Sequence, residues 1–168
     1  TVSGSKAPIT DGEIADFAIV LAKEGSELSL CLVNLSGNGV TRETLDSIDP
    51  TRGQAKLTFD GTPATRIGSA GDGWHIATQV MDRAAILIGF EQLGGADRAL
   101  EMGRDYALER MAFGRQIGSF QAVKHILADM YVSATLARSN CYYGAWALSS
   151  SAAELPIAAA TARVSATN

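Results

Sequence analysis

The sequence predicts an α+β fold in which an antiparallel β-barrel or sandwich is followed by an antiparallel helical bundle. Short β-rich apolar runs, bounded by Gly, Ser, Asn and Asp, fill the first third of the chain. Apolar residues then recur at three- and four-residue steps, as in buried helices. The glycine-rich segment 67–73 separates these patterns, and proline nearly vanishes after it. We therefore predict a β-domain over residues 1–69 and a helical domain over residues 70–168.

Three runs in the first part have strand character. They are Phe17–Ala22, Leu28–Leu35 and Lys56–Phe59. In the third run polar Lys56 and Thr58 alternate with apolar Leu57 and Phe59, which predicts a strand with one buried face. The segment Gly37-Asn38-Gly39 is typical of a hairpin turn.

A first long helix is predicted from Trp74 to about Ala112. Its apolar stripe consists of Ile76, Val80, Ile86, Leu87, Phe90, Leu93 and Leu100. Glycines 89, 94 and 95 interrupt the helix, and each costs about 1 kcal/mol relative to alanine in a helix interior. They indicate either close helix packing alone or the close approach of a ligand.

A second helix is predicted from about Phe120 to Leu148, and a turn at Ser149–Ser151 follows it. Its stripe comprises Val123, Ile126, Leu127, Met130, Leu136 and Ala137. Pro156 lies where the first turn of a third helix would tolerate it. The chain starts at Thr1 without a methionine and stops at Asn168 inside a helical pattern, so we expect a piece of a longer protein.

Composition narrows the class of protein. The 168 residues carry a net charge of −4, which disfavours a strongly basic nucleic-acid module. With 46% hydrophobic and 19% charged residues, the chain can bury a core. Cys31 and Cys141 lie far apart and there are only two histidines, so neither a zinc site nor a disulfide scaffold is expected. We expect no metal, no membrane span, and a cytoplasmic location.

The densest polar segment lies between the first two long helices, over residues 109–121. It contains two arginines, two glutamines, two glycines and two phenylalanines. Guanidinium groups can pair with phosphate, flat rings can stack, and the start of the second helix adds positive partial charge. A diphosphate could therefore be held by Arg110 and the helix terminus. The alternative is an ordinary inter-helix turn with solvated arginines.

Other polar residues carry less information. His75 and His125 are isolated and fit structural or surface roles. The serines at 149–151 lack a glycine elbow, which disfavours a serine nucleophile. Asp82 and Arg83, near the start of the first long helix, could contact a ligand or form a solvated helix face.

The run R-x-x-F-G-R-x-I-G-x-F-Q-x-x-K-H-x-L-A-D-M between Arg110 and Met130 resembles the acyl-CoA dehydrogenase family. Asp82-Arg83 and Glu91-Gln92-Leu93-Gly94 flank it as in that family. The segment from Gly4 to Thr10 is similar to the family's G-x-K-x-W-I-T stretch. The resemblance covers nearly the whole chain and implies the last part of a middle β-domain and the first helices of a C-terminal helical domain.

The resemblance implies a flavoenzyme that removes an α-proton and a β-hydride from an acyl-CoA thioester, with electrons passing to an electron-transfer flavoprotein. It implies that Thr10 contacts the flavin of FAD near N5, that Arg110 pairs with the pyrophosphate, and that Phe113 and Gln121 lie at the ADP half. Asp82 and Arg83 are the implied substrate contacts. In the family, the residues at the positions of Arg110, Phe113 and Gln121 usually bind the FAD of a neighbouring subunit. The resemblance therefore also implies a homo- or hetero-oligomer, either a dimer or a tetramer.

Three positions depart from the family pattern. Pro8 replaces an aromatic residue beside the flavin, and Ala85 replaces an arginine that reaches the CoA nucleotide. The usual catalytic glutamate falls beyond Asn168, and we do not assign Glu91 as the base. Pro8 and Ala85 motivate a second hypothesis, a non-catalytic or FAD-sharing subunit of a heteromeric acyl-CoA dehydrogenase. A third hypothesis is a structural helical module that binds no cofactor. It would require the match of the Arg110–Gln121 loop to the family motif to be a coincidence.

Overall fold

The computed structural model describes residues 1–167, which divide into two compact units, one over residues 1–78 and one from Gln79 onward. The strands of the first unit are β1 (Val2–Thr10), β2 (Phe17–Glu24), β3 (Glu27–Asn34), β4 (Val40–Leu45), β5 (Gln54–Thr62) and β6 (Ala64–Ile67). Helix α1 (Gly73–Glu109) begins there and continues into the second unit. After it come β7 (Met111–Ala112), β8 (Arg115–Gln116), α2 (Gln121–Ser149) and α3 (Leu155–Thr167). The predicted α+β class is confirmed.

The first unit consists of two three-stranded antiparallel sheets. Their strand orders are β1-β5-β4 and β2-β3-β6, and residues of both sheets share one core. That core contains Val2, Val20, Val33, Leu35, Leu57 and Phe59. Leu57 and Phe59 are buried while Thr58 between them is exposed, as the alternation in this strand predicted.

The three predicted strand runs correspond to β2, β3 and β5, of which β3 and β5 are the central strands. The other three strands, β1, β4 and β6, carry weaker apolar patterns and were missed. All three lie at a sheet edge, where a strand has one hydrogen-bonded neighbour and less of its surface is buried. Burial supplies the sequence signal, so edge strands with few apolar residues were missed, whereas the edge strand β2 was found from its apolar run Phe17–Ala22.

The prediction of a hairpin turn at Gly37-Asn38-Gly39 was wrong. This segment leaves β3 in one sheet and enters β4 in the other, so the strands it joins do not pair. Gly39 has φ 79°, and its carbonyl accepts hydrogen bonds from the Asp60 N–H and from Thr62 Oγ1, both at 2.8 Å. A Cβ at this position would lie 2.2 Å from the Asp60 carbonyl oxygen. The glycine thus allows a close crossing between sheets.

Helix α1 runs for 37 residues, and the three glycines do not interrupt it. A Cβ on Gly89 would lie 3.3 Å from Cys141 Sγ, so this glycine permits close packing against α2. Cβ atoms on Gly94 and Gly95 would meet nothing within 4 Å among the described residues. Close helix packing therefore explains Gly89 alone. Between residues 1 and 167 the structure has no helix with both the length and the apolarity needed to cross a bilayer.

The three helices form an antiparallel bundle. Asp97 of α1 pairs with Arg138 of α2 at 2.6 Å, and the Asn140 amide of α2 donates to Ser165 Oγ of α3 at 2.6 Å. The cluster between the helices consists of Leu93, Ala137, Cys141 and Ala162. The predicted stripes are only partly buried, because Val80, Leu87, Ile126 and Leu136 are exposed. Small residues bring the helices close together, and these larger side chains lie on faces that the described helices leave open.

Candidate nucleotide-binding loop

The loop between α1 and α2 is a small, closed hairpin. Met111 pairs with Gln116 and Ala112 with Arg115. The Arg110 N–H donates to the Tyr106 carbonyl at 2.9 Å, which continues the helical pattern by one residue. The Ile117 N–H donates to the Arg110 carbonyl at 2.8 Å and closes the base of the hairpin. The Arg110 backbone is thereby fixed between the helix and the hairpin.

The tip of the hairpin consists of Phe113 and Gly114. Their φ angles are 52° and 78°, and positive φ at both central residues is the mark of a type I′ turn. Gly114 adopts this conformation freely, whereas positive φ is uncommon for an aromatic residue. Phe113 is 95% exposed, so its ring is available to a ligand. Non-glycine residues with positive φ are enriched at ligand clamps and active sites.

Three side chains stack beside this tip. The rings of Phe113 and Phe120 meet edge to face, with centroids 6.2 Å apart and an interplanar angle of 84°. The Arg115 guanidinium carbon lies 4.1 Å from the centroid of the Phe120 ring. We call Arg115, Phe120 and Phe113 the loop stack. It joins a permanent cation to two aromatic surfaces.

The N-terminus of α2 provides hydrogen-bond donors. Phe120 is its N-cap residue and no side chain caps the helix, so the first amides keep their donors. Gln121 lies in the first turn, with its amide nitrogen 3.4 Å from His125 Nε2. Arg110 is exposed, and among residues 1–167 its guanidinium makes no hydrogen bond or ion pair. The loop therefore presents a free cation and a positive helix terminus together.

Gly118 lets the loop approach the last turns of α1. A Cβ at Gly118 would lie 2.8 Å from the carbonyl oxygen of Ala107 and 3.4 Å from its Cβ. Ala107 is buried and its carbonyl belongs to the helix backbone, so it cannot rotate away. Neither Gly118 nor the position of Arg115 was singled out from the sequence. The sequence signals were their membership of the dense polar segment and their places in the motif that begins at Arg110.

Of the predicted site residues, Arg110, Phe113 and Gln121 come together in this loop. Thr10 lies in the first unit at the end of β1, exposed, where its Oγ1 accepts a hydrogen bond from the Gln54 amide at 3.2 Å. The turn after Thr10 is held by Arg42, whose guanidinium donates to the Glu13 carbonyl at 2.9 Å.

Asp82 and Arg83 lie near the other end of α1. The 26 residues between Arg83 and the end of the helix span about 39 Å at 1.5 Å per residue, so these two side chains do not share a site with the loop of the same chain. Asp82 is half-buried, and the Arg83 guanidinium donates to the Gln79 carbonyl at 3.1 Å. None of the predicted site residues lines the cleft of about 540 Å³ between α1 and α2.

The donors in the loop fit a dinucleotide. A diphosphate needs cations and amide donors, and Arg110 with the uncapped α2 terminus supplies both. A purine ring needs a flat surface, and the exposed ring of Phe113 supplies one. A carboxamide that can donate or accept completes the set at Gln121. These residues therefore match the FAD end that the sequence resemblance implies.

Comparison with known proteins identifies the family of the chain. The family model "Acyl-CoA dehydrogenase, C-terminal domain" matches residues 71–168. The acyl-CoA dehydrogenase IpdE2 of Mycobacterium tuberculosis is 35% identical over 162 residues, which cover 94% of this chain and 42% of that protein. Among solved structures, an FAD-dependent dehydrogenase is 26% identical with a TM-score of 0.93, covering 98% of this chain and 47% of the other.

The ChsE4-ChsE5 complex from Mycobacterium tuberculosis contains a chain that is 27% identical, with a TM-score of 0.84 and coverage of 97% of this chain and 44% of that one. This chain thus spans less than half the length of the relatives it matches. The family model covers more than half of the chain, and its match agrees with the fold and with the loop: the chain belongs to the acyl-CoA dehydrogenase family.

Proposed function

We propose that this chain serves in an FAD-dependent acyl-CoA dehydrogenase, which introduces an α,β double bond into an acyl-CoA thioester and passes electrons to an electron-transfer flavoprotein. The observation that carries the proposal is the loop from Arg110 to Gln121. Within twelve residues it combines a guanidinium that has no partner among residues 1–167, an uncapped helix terminus and an exposed ring. A turn that only connects two helices does not require these three features.

Each residue has a distinct task in this proposal. Arg110 and the first amides of α2 bind the diphosphate of a neighbouring subunit's FAD, Phe113 packs on its ADP half, and Gln121 hydrogen-bonds there. Separately, Thr10 in the first unit offers its hydroxyl to the flavin of the FAD bound by its own subunit, and the Gln54 amide orients that hydroxyl. When bound, FAD supplies the hydride-accepting chemistry, whereas the protein provides binding and orientation.

The substrate contacts are assigned to α1. Asp82 and Arg83 are proposed to contact the acyl-CoA near the start of that helix. Ala85 removes the arginine of the family pattern, which leaves Arg83 as the nearby cation. Glu91 is exposed on the same helix but lies about two helical turns past Arg83, so it is not assigned as the base. We place the catalytic carboxylate outside residues 1–168, in keeping with relatives more than twice as long.

A second candidate is an FAD-sharing subunit of a heteromeric acyl-CoA dehydrogenase. Pro8, where the family pattern has an aromatic residue, and Ala85 favour it, and a similar chain is part of the ChsE4-ChsE5 complex. Both candidates require a homo- or hetero-oligomer. We also place the protein in the cytoplasm, because its cysteines, Cys31 and Cys141, are both free.

The test uses the full-length protein, purified alone and after co-expression with a homologous subunit. Bound FAD whose visible absorbance bleaches anaerobically with an acyl-CoA supports the leading proposal. Flavin that appears only on co-expression supports the second candidate. Flavin that stays oxidised across a broad panel of acyl chain lengths contradicts the enzymatic proposal.

Arg110→Met provides a sharper test of the loop. A charge-assisted hydrogen bond is worth about 1.5–3 kcal/mol, so FAD affinity should fall about 10- to 150-fold. Helix content should not change, because Arg110 is exposed and its side chain has no partner among residues 1–167. Arg104→Met is the matched control, since Arg104 is exposed on α1 and pairs with Asp105 at 2.7 Å. Equal affinity of both variants for FAD in equilibrium titration would remove Arg110 from the site.

A further inference from the structure

The loop stack contains a cation that the proposed function does not use. Arg115 lies on β8, is exposed, and places its guanidinium carbon 4.1 Å from the Phe120 ring centroid. Within residues 1–167 it forms no ion pair. An arginine in this position makes a cation–π contact with the aromatic ring through the flat face of its guanidinium.

Phe120 occupies a key position in the local backbone. It is the N-cap residue of α2, its N–H donates to the Ile117 carbonyl at 3.1 Å, and its own carbonyl accepts from the Lys124 N–H at 3.1 Å. These bonds fix the backbone but do not set the side-chain torsions of the ring. The ring contacts the Arg115 guanidinium, whose carbon lies 4.1 Å from its centroid, and the Phe113 ring, which it meets edge to face at 6.2 Å.

Phe113 has no comparable support of its own. It is 95% exposed at a two-residue turn, and its one described ring contact is the edge-to-face contact with Phe120. Whatever fixes the Phe120 ring therefore also limits the Phe113 ring. Ordering of a side chain before a ligand binds lowers the entropy cost of binding.

We infer that Arg115 is a positioning residue for the nucleotide end of the FAD site: its guanidinium fixes the Phe120 ring, which in turn presents the Phe113 ring to the adenine. The inference rests on the proposed function. Arg115 acts through Phe120 and not as a charge on the phosphates, which is the task of Arg110. The ligand class is an adenine dinucleotide, and the contribution of Arg115 is to the adenine half.

A double-mutant cycle on the full-length protein tests this, with FAD affinity of the apoprotein as the readout. Arg115→Met should weaken FAD binding about two- to fivefold, the range of an exposed cation–π contact. In a Phe120→Leu background the same substitution should have no further effect, because the surface on which Arg115 acts is gone. Equal losses in both backgrounds, or no loss in either, would overturn the inference.

Two further measurements separate this inference from the proposed function. FMN lacks the adenine half, so its affinity should be equal in wild type and Arg115→Met; a matching loss for FMN would overturn the positioning role. NMR should show ring-current shifts of the Arg115 side-chain protons in the apoprotein that vanish in Phe120→Leu, and unshifted protons would refute the stack itself. A wild-type protein that binds no FAD would contradict the proposed function, whatever the NMR result.

Discussion

Replacing Gly118 with alanine tests how the loop is seated on helix α1. The φ angle of Gly118 is not in the left-handed region, so alanine meets no backbone penalty there. The new Cβ would instead lie 2.8 Å from the Ala107 carbonyl oxygen and 3.2 Å from its carbonyl carbon. These atoms belong to the backbone of α1, so the loop has to move away.

The size of the effect follows from two opposing contributions. Overpacking at a rigid contact costs about 1–3 kcal/mol. Replacing glycine with alanine restricts the unfolded chain and returns about 0.4–1 kcal/mol. We therefore expect Gly118→Ala to lower the free energy of unfolding by about 1.3 kcal/mol, the difference between the midpoints of these two ranges.

Gly95→Ala is the matched control, because it makes the same chemical change in the same unit. Its Cβ would meet nothing within 4 Å among the described residues, and it lies inside α1, so about 1 kcal/mol of stabilisation is expected. Urea unfolding of the full-length variants, followed by circular dichroism, measures both. If Gly118→Ala unfolds at or above the wild-type midpoint while Gly95→Ala behaves as expected, the contact with Ala107 is not rigid and the argument fails.

Three further changes probe the first unit. Leu57→Ala should lower the free energy of unfolding by about 2–5 kcal/mol, because Leu57 is 1% exposed in the shared core, as urea unfolding would show. Arg42→Met should speed amide hydrogen exchange in residues 11–16, because the Glu13 carbonyl loses a charged donor. The Ser29 hydroxyl, with Arg66, lowers the pKa of Glu24. The ionised Glu24 carboxylate therefore stabilises the fold above its unfolded-state pKa of about 4.3, and this stabilisation is lost as the pH falls through the lowered folded-state pKa. Glu24→Gln should accordingly flatten the acid limb of a profile of stability against pH.

Each of these has an outcome that contradicts it. Leu57→Ala should be far more harmful than Thr58→Ala on the exposed face of β5, so equal effects would refute the assigned core. Unchanged exchange in residues 11–16 would show that Arg42 does not hold that turn. Wild-type and Glu24→Gln profiles that stay parallel from neutral pH down through the acid limb would mean that ionised Glu24 does not stabilise the fold.

The loop was largely predictable because it is local. Arg110, Phe113 and Gln121 lie within twelve residues, so any turn between the two helices brings them together. The boundaries of α2 and the Pro156 start of α3 were also close to the structure, since helix signals depend on near neighbours. The roles assigned to the loop residues, like those of Thr10, Asp82 and Arg83, stay predictions until ligand binding is measured.

By itself, the sequence determined the fold class, the family resemblance and the loop, because periodicity and contiguous motifs carry that information. Only the tertiary structure decided which strands pair, that Gly39 crosses between sheets, and that Gly89 rather than Gly94 or Gly95 meets another helix. It also decided that Arg115 stacks on Phe120. The physical reason is distance along the chain: a contact such as Gly89 with Cys141 depends on how whole elements pack, and no local pattern records the partner.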